Sequence, residues 1–121
     1  MIDHIGLRTL QFDALVRFYE ACLAPLGYTK LFASEGGAGF GRNGTAALWL
    51  GASTTRPTGI HIALSASDHA AVDAFHKAAL NAGAIDNGKP GLRPDYHANY
   101  YAAFVTDPDG NNLEAVCHVA N

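Results

Sequence analysis

GIHIALSA, Gly59–Ala66, decides the fold, because it restarts a pattern already used in DHIGLRTL, Asp3–Leu10. Both stretches alternate as half-buried strands do. Ile60, Ile62 and Leu64 oppose His61, Ala63 and Ser65, as Ile5 and Leu7 oppose His4, Gly6 and Arg8. The period then changes in both copies. Asp13–Leu26 carries Leu15, Phe18, Cys22 and Leu26 at helical spacing and closes on Pro25 and Gly27. Asp68–Ala82 carries Val72, Phe75, Ala79 and Leu80 and stops at Gly83. His4, Phe18 and Leu23 recur as His61, Phe75 and Leu80, each 57 positions on. Further strands are predicted around Tyr28–Ala33, Gly39–Arg42 and Thr45–Gly51. A strand–helix–strands unit thus occurs twice. The expected fold is α+β: two βαβββ modules, about 1–56 and 57–121, in one domain, with a cupped, mostly antiparallel sheet and helices outside.

The second copy ends in YYAAFVTDPDGNNLEAVCH, Tyr100–His118, which reads as a hairpin about Asp107-Pro108-Asp109-Gly110. Proline presets the turn and glycine supplies its positive φ. Glu114 falls mid-strand, on the face opposite Leu113, Ala115 and Cys117. A carboxylate in an otherwise buried strand needs a partner, a metal or solvent. Before the hairpin, Asn87–Asn99 reads as a long loop of the kind that forms lids and binding loops.

Composition narrows the function. A net charge of −3 without a basic cluster argues against a nucleic-acid surface. No apolar run reaches membrane-spanning length, and the charged N-terminus lacks a signal-peptide core, so a cytoplasmic protein is expected, with no membrane partner. Cys22 and Cys117 have no metal-binding spacing and read as reduced thiols. Gly39–Gly44 fits GxGxxG, but no helix pattern follows, so it reads as a turn between strands. His69 and His76 are expected to be solvated on the second helix, and His118, at a strand end, is expected to be structural.

His4, His61 and Glu114 share one logic: each lies mid-strand, opposite the apolar set. Two histidines and a carboxylate facing one cup form the donor set of a facial triad for Fe, Mn, Ni or Zn, with open positions for a substrate. Arg8 shares the His4 face and could meet an anionic substrate, while Tyr96, His97, Tyr100 and Tyr101 cluster near the lid.

The DHIGL opening, the GIHIAL restart and the DPDGNNLE ending resemble the vicinal oxygen chelate superfamily of glyoxalases, fosfomycin-resistance enzymes, extradiol dioxygenases and bleomycin-resistance proteins. The resemblance covers essentially the whole chain and implies paired βαβββ modules, usually in a homodimer, with His4, His61 and Glu114 as metal ligands. Glyoxalase I has a fourth, carboxylate ligand on the last strand of its first module, where this chain has Leu48 and Trp49. Extradiol dioxygenases have a histidine at the position of His97, but a tyrosine where this chain has Phe104. Fosfomycin-resistance enzymes carry a polar residue at the position of Gly6. The expected activity is metal-dependent lyase, isomerase or conjugation chemistry on a small oxygen-bearing substrate. His97, Tyr100 and Tyr101 would be acid/base groups, and Arg8, Trp49, Arg93, Tyr96 and Phe104 would contact substrate. Ring-cleaving dioxygenation and metal-free ligand binding remain the alternatives.

Overall fold

A computed structural model describes residues 3–120. The first module runs β1 (Ile5–Thr9), α1 (Phe12–Leu23), a 3-10 turn (Ala24–Leu26), β2 (Thr29–Ser34), β3 (Gly37–Arg42) and β4 (Thr45–Ala52). The second runs β5 (His61–Ser65), α2 (His69–Asn81), β6 (Ile85–Leu92), β7 (Tyr101–Thr106) and β8 (Asn112–Cys117). Each module builds a four-stranded sheet, ordered β1-β4-β3-β2 and β5-β8-β7-β6. In each, the first and last strands pair in parallel and the others antiparallel. This is the duplicated α+β architecture that the sequence predicts.

The helices form where the apolar period requires. Leu15, Phe18, Tyr19, Cys22 and Leu23 line the buried stripe of α1, and Val72, Phe75, His76 and Ala79 that of α2. Gly27 ends the first helical segment at φ 84, a conformation that costs glycine little. Asp68 caps α2, its carboxylate accepting the Ala71 N–H at 2.8 Å. The stripes meet in one core shared by both modules. A buried polar node also ties the modules together. The Tyr19 hydroxyl of α1 donates to Asp107 Oδ2 at 2.7 Å, and the other Asp107 oxygen accepts the N–H groups of Asp109 and Asn111. The DPDG turn is therefore fastened to the first module's helix as well as shaped by its own residues.

Several local expectations change, among them Leu80, which is exposed rather than part of the buried stripe. The stretch from Asn87 is not all loop, because β6 runs through it to Leu92 and leaves residues 93–100 as the connection. Glycine and proline obscured this strand. Gly88, at φ 153, and Pro90 fall where the β6–β7 register slips, as residues suited to bulges do. His76 is 8% exposed rather than solvated, and its ring bonds Asp86 of β6 at 2.8 Å. It lies four residues beyond Val72, inside a stripe wider than the apolar letters alone suggest. His69 is half-buried against Tyr101, their rings 3.8 Å apart. Gly39–Gly44 is a strand and its turn: β3 ends at Arg42, and Asn43 and Gly44 reverse the chain with positive φ.

Candidate functional site

Register places the candidate residues. Ala63 pairs with Glu114 and Ile62 with Leu113, while in the first module Gly6 pairs with Trp49 and Ile5 with Leu48. Trp49 is thus the positional counterpart of Glu114.

Glu114 is 2% exposed, and both its oxygens are engaged. Oε1 accepts the Tyr100 hydroxyl. Oε2 lies 3.1 Å from His61 Nε2. The other His61 nitrogen, Nδ1, is 3.1 Å from the Asn112 carbonyl, which can only accept, so Nδ1 carries the proton. Nε2 therefore has its lone pair free for Lewis-acid partners, or a second proton that charges the ring. A metal-binding histidine has this arrangement, with the far nitrogen held by a carbonyl and the near one turned to a carboxylate. The His61 side chain is 50% exposed, so the pair opens to solvent on one side. Burial, followed by the bond and charge of Glu114, pushes the Tyr100 hydroxyl up to about 12. Tyr100 therefore stays protonated near neutrality and fixes the carboxylate as a donor.

Aromatic rings surround this pair. Tyr96 packs edge-on against Tyr100 at 5.0 Å, His97 stacks on Tyr100 at 6.0 Å, and His118 meets Tyr100 at 5.1 Å and His97 at 5.9 Å. Phe104 lies 6.4 Å from the His61 ring, and Arg93 stands over Phe104 at 5.4 Å. Arg93 also donates to the carbonyls of Gly91 and Lys89. Tyr101 points elsewhere: its hydroxyl donates to Asp73 of α2 at 2.7 Å, which puts it on the helix side of β7. Two contributors escaped the sequence reading. Asn112 acts through its backbone oxygen, which no side chain signals, and His118 joins the aromatic group instead of standing apart.

His4 is not beside the pair. It is exposed, with Nδ1 2.8 Å from Asp3 Oδ1. It lines a cavity of about 250 Å3 with Ile5, Tyr28 and Ala47 of the first module and Ala63 of the second. Among the described residues, no three His, Cys, Asp or Glu side chains gather as a cation site. Arg8 and Trp49 lie on the first sheet, Arg8 donating to the Ala52 carbonyl at 3.1 Å and Trp49 stacking on Phe32.

The family model for the Glyoxalase/Bleomycin resistance protein/Dioxygenase superfamily matches residues 1–115. The chain belongs to this superfamily. Its fold is similar to that of a glyoxalase/bleomycin resistance protein from Albidiferax ferrireducens, at 24% identity and TM-score 0.75 over 94% of this chain and 95% of that one. A glyoxalase/bleomycin resistance protein/dioxygenase family enzyme from Burkholderia phytofirmans shares 18% identity, with TM-score 0.74 and 98% of each chain covered. A glyoxalase-related enzyme from Fulvimarina pelagi shares 20% identity, with TM-score 0.74 over 97% of this chain and 87% of that one. At such identities the likeness is one of fold. No curated protein matches the chain.

Superfamily members often use divalent metals, and the fit here is partial. His61 Nε2 and Glu114 Oε2 are separated as two donors to one ion can be, given bonds of about 2.0–2.2 Å. The third expected donor, His4, is engaged with Asp3. No helix of the described residues is long and apolar enough to cross a membrane.

Proposed function

We propose that this chain is a divalent-metal-dependent enzyme of the superfamily, of lyase, isomerase or conjugating type, acting as a cytoplasmic homodimer on a small molecule with neighbouring oxygens. One observation carries the reading: His61 presents Nε2 to Glu114 Oε2 while the Asn112 carbonyl holds Nδ1. His61 and Glu114 would hold the ion, with His4 as third ligand supplied by the second copy of the homodimer, since within one chain His4 stands away from the pair. The ion, when bound, supplies Lewis acidity to substrate oxygens. The chain's own residues do the rest. Tyr100 keeps its proton on Oη and orients the carboxylate. His97, stacked on Tyr100, would be the group that moves a proton. Tyr96, Phe104 and Arg93 wall the substrate and limit water. Phe104 has no hydroxyl, which favours these chemistries over ring-cleaving dioxygenation.

A second reading, metal-free ligand binding, draws support from the His4–Asp3 pair, which keeps the third donor apart. Metal content of protein purified without chelator separates the two. About one ion per site, lost in both His61→Ala and Glu114→Gln, supports the enzyme. Metal-free protein that takes up neither Zn(II), Mn(II), Ni(II) nor Fe(II) in calorimetry sinks it.

A further inference from the structure

One buried titratable group has no part in the proposed chemistry: His76, 8% exposed, on the inner stripe of α2. Its Nε2 stands 2.8 Å from Asp86 Oδ1, and since an ionised carboxylate only accepts, Nε2 carries the proton. The same oxygen accepts the Gly88 N–H at 3.1 Å. Asp86 pairs with Val105 and Gly88 with Phe104, so two steps of β6 answer one of β7, and Asn87 is the extra residue of a bulge. The bulge turns the strand over. Asp86 reaches the helix, whereas Gly88 lies under Phe104 on the other face of the sheet. There a Cβ would come 2.9 Å from Phe104 Cδ1 and 3.3 Å from an Arg93 guanidinium nitrogen. Arg93 grips the bulge from that side through the Lys89 and Gly91 carbonyls. Phe104 in turn stacks beside His61, 6.4 Å away. A chain of contacts thus runs through the sheet, from the helix to the candidate site.

We infer that His76 is a positioning residue for that site: by holding Asp86 on the Gly88 N–H, it fixes the bulge on which Phe104 and Arg93 rest. It thereby sets where the two stand beside His61. The inference rests on the reading of Phe104 and Arg93 as the wall of the site, not on the metal. The Asp86 side chain is 40% exposed, and alone it would exchange the Gly88 N–H for water. A second donor, carried by the packed helix, removes that freedom. The bond from His76, then that from Gly88, lower the Asp86 carboxyl below its ordinary range, so the acceptor stays charged at neutral pH. A ring in close contact with the backbone follows it when it shifts.

The test uses the full chain in chelator, labelled with fluorophenylalanine. Phe104→Leu identifies the Phe104 resonance among the chain's six phenylalanines. Its fluorine shift reports the place of the ring beside His61, and hydrogen exchange reports the Gly88 N–H. His76→Leu fills the site without a donor, while His76→Gln keeps a donor of similar reach. The leucine variant should move the Phe104 resonance and speed exchange of the Gly88 amide about tenfold, the worth of one hydrogen bond. His76→Gln should return both to the parent values. Asp86→Ala should move the resonance as His76→Leu does, and the double variant should move it no further. A His76→Leu that lowers the melting temperature with Phe104 unmoved overturns the inference, because the bond is then structural only. Equal shifts in the leucine and glutamine variants, or additive shifts in the double variant, also overturn it. Where His76→Leu does not fold, Asp86→Ala decides alone, and an unmoved Phe104 resonance sinks the idea. Zn(II) is added last. A Phe104 that moves as expected in a protein that takes no metal leaves this inference standing while the metal reading falls.

Discussion

The two modules answer the same backbone with opposite chemistry. Trp49 and Glu114 occupy equivalent register positions, next to Gly6 and Ala63 respectively. One strand further in, Gly39 faces Trp49 and Phe104 faces Glu114, and beyond them come Phe32 and Gly88. Bulk and glycine have exchanged places. In the first module, the ring grows from β4 and rests on the glycine of β3. In the second, it grows from β7 and lies over the glycine of β6, where an added Cβ would come 2.9 Å from Phe104. The first sheet therefore presents an apolar wall at the position where the second presents a carboxylate. Duplication fixes the scaffold, and only side-chain volume and charge decide what each copy presents at that position.

The helices test how equivalent the modules are. Phe18 and Phe75 are counterparts, both essentially fully buried in the shared core. Truncation of either to alanine should cost about 3–5 kcal/mol, measured by urea denaturation. A loss confined to one would show that the core belongs mainly to one module. On the proposed metal reading, Glu114→Gln should lower divalent-metal affinity by about 100-fold or more, while Trp49→Glu should not create a second site, since His4, the counterpart of His61, is engaged with Asp3. Calorimetry with Zn(II) on both variants checks this.

Tyr19→Phe removes the hydroxyl that joins the modules and leaves Asp107 Oδ2 with only the Asn111 side-chain amide, at an expected cost of about 1–3 kcal/mol. The pH dependence follows in sign. Burial first, then the charge of Asp107, raises the Tyr19 pKa well above its ordinary value, and Tyr100 is raised to about 12. A raised folded-state pKa means that the folded protein keeps protons the unfolded chain releases. The contribution is complete below the unfolded value of about 10 and is lost as pH climbs towards the folded values. Stability should therefore fall above about pH 10, less steeply in Tyr19→Phe, as denaturation midpoints across that range would show. The smallest effect belongs to the second helix's surface. Asp73→Asn weakens the bond to the Tyr101 hydroxyl at an exposed site and should change stability by about 0.5 kcal/mol or less.

Period and offset made the scaffold legible in the sequence, because strands and helices repeat in register with the apolar residues that they bury. The alternation that put His61 and Glu114 on one face reached the pair itself, since parallel β5 and β8 carry their side chains to a common side. It could not say whether His4 would join them. That depends on how one sheet sits against the other, and here His4 closes on its neighbour Asp3. Nor could it find β6, whose bulges scramble the alternation, or the inward turn of His76, which rests on a partner ten residues away. Tyr100 and Tyr101 are adjacent in sequence, yet one holds Glu114 and the other Asp73. Sequence determined the regularly alternating or helical elements and their faces, because those depend on neighbours a few residues away. Tertiary structure alone decided which polar groups meet, because a hydrogen bond needs two atoms within about 3 Å, and only the packing of distant segments sets that distance.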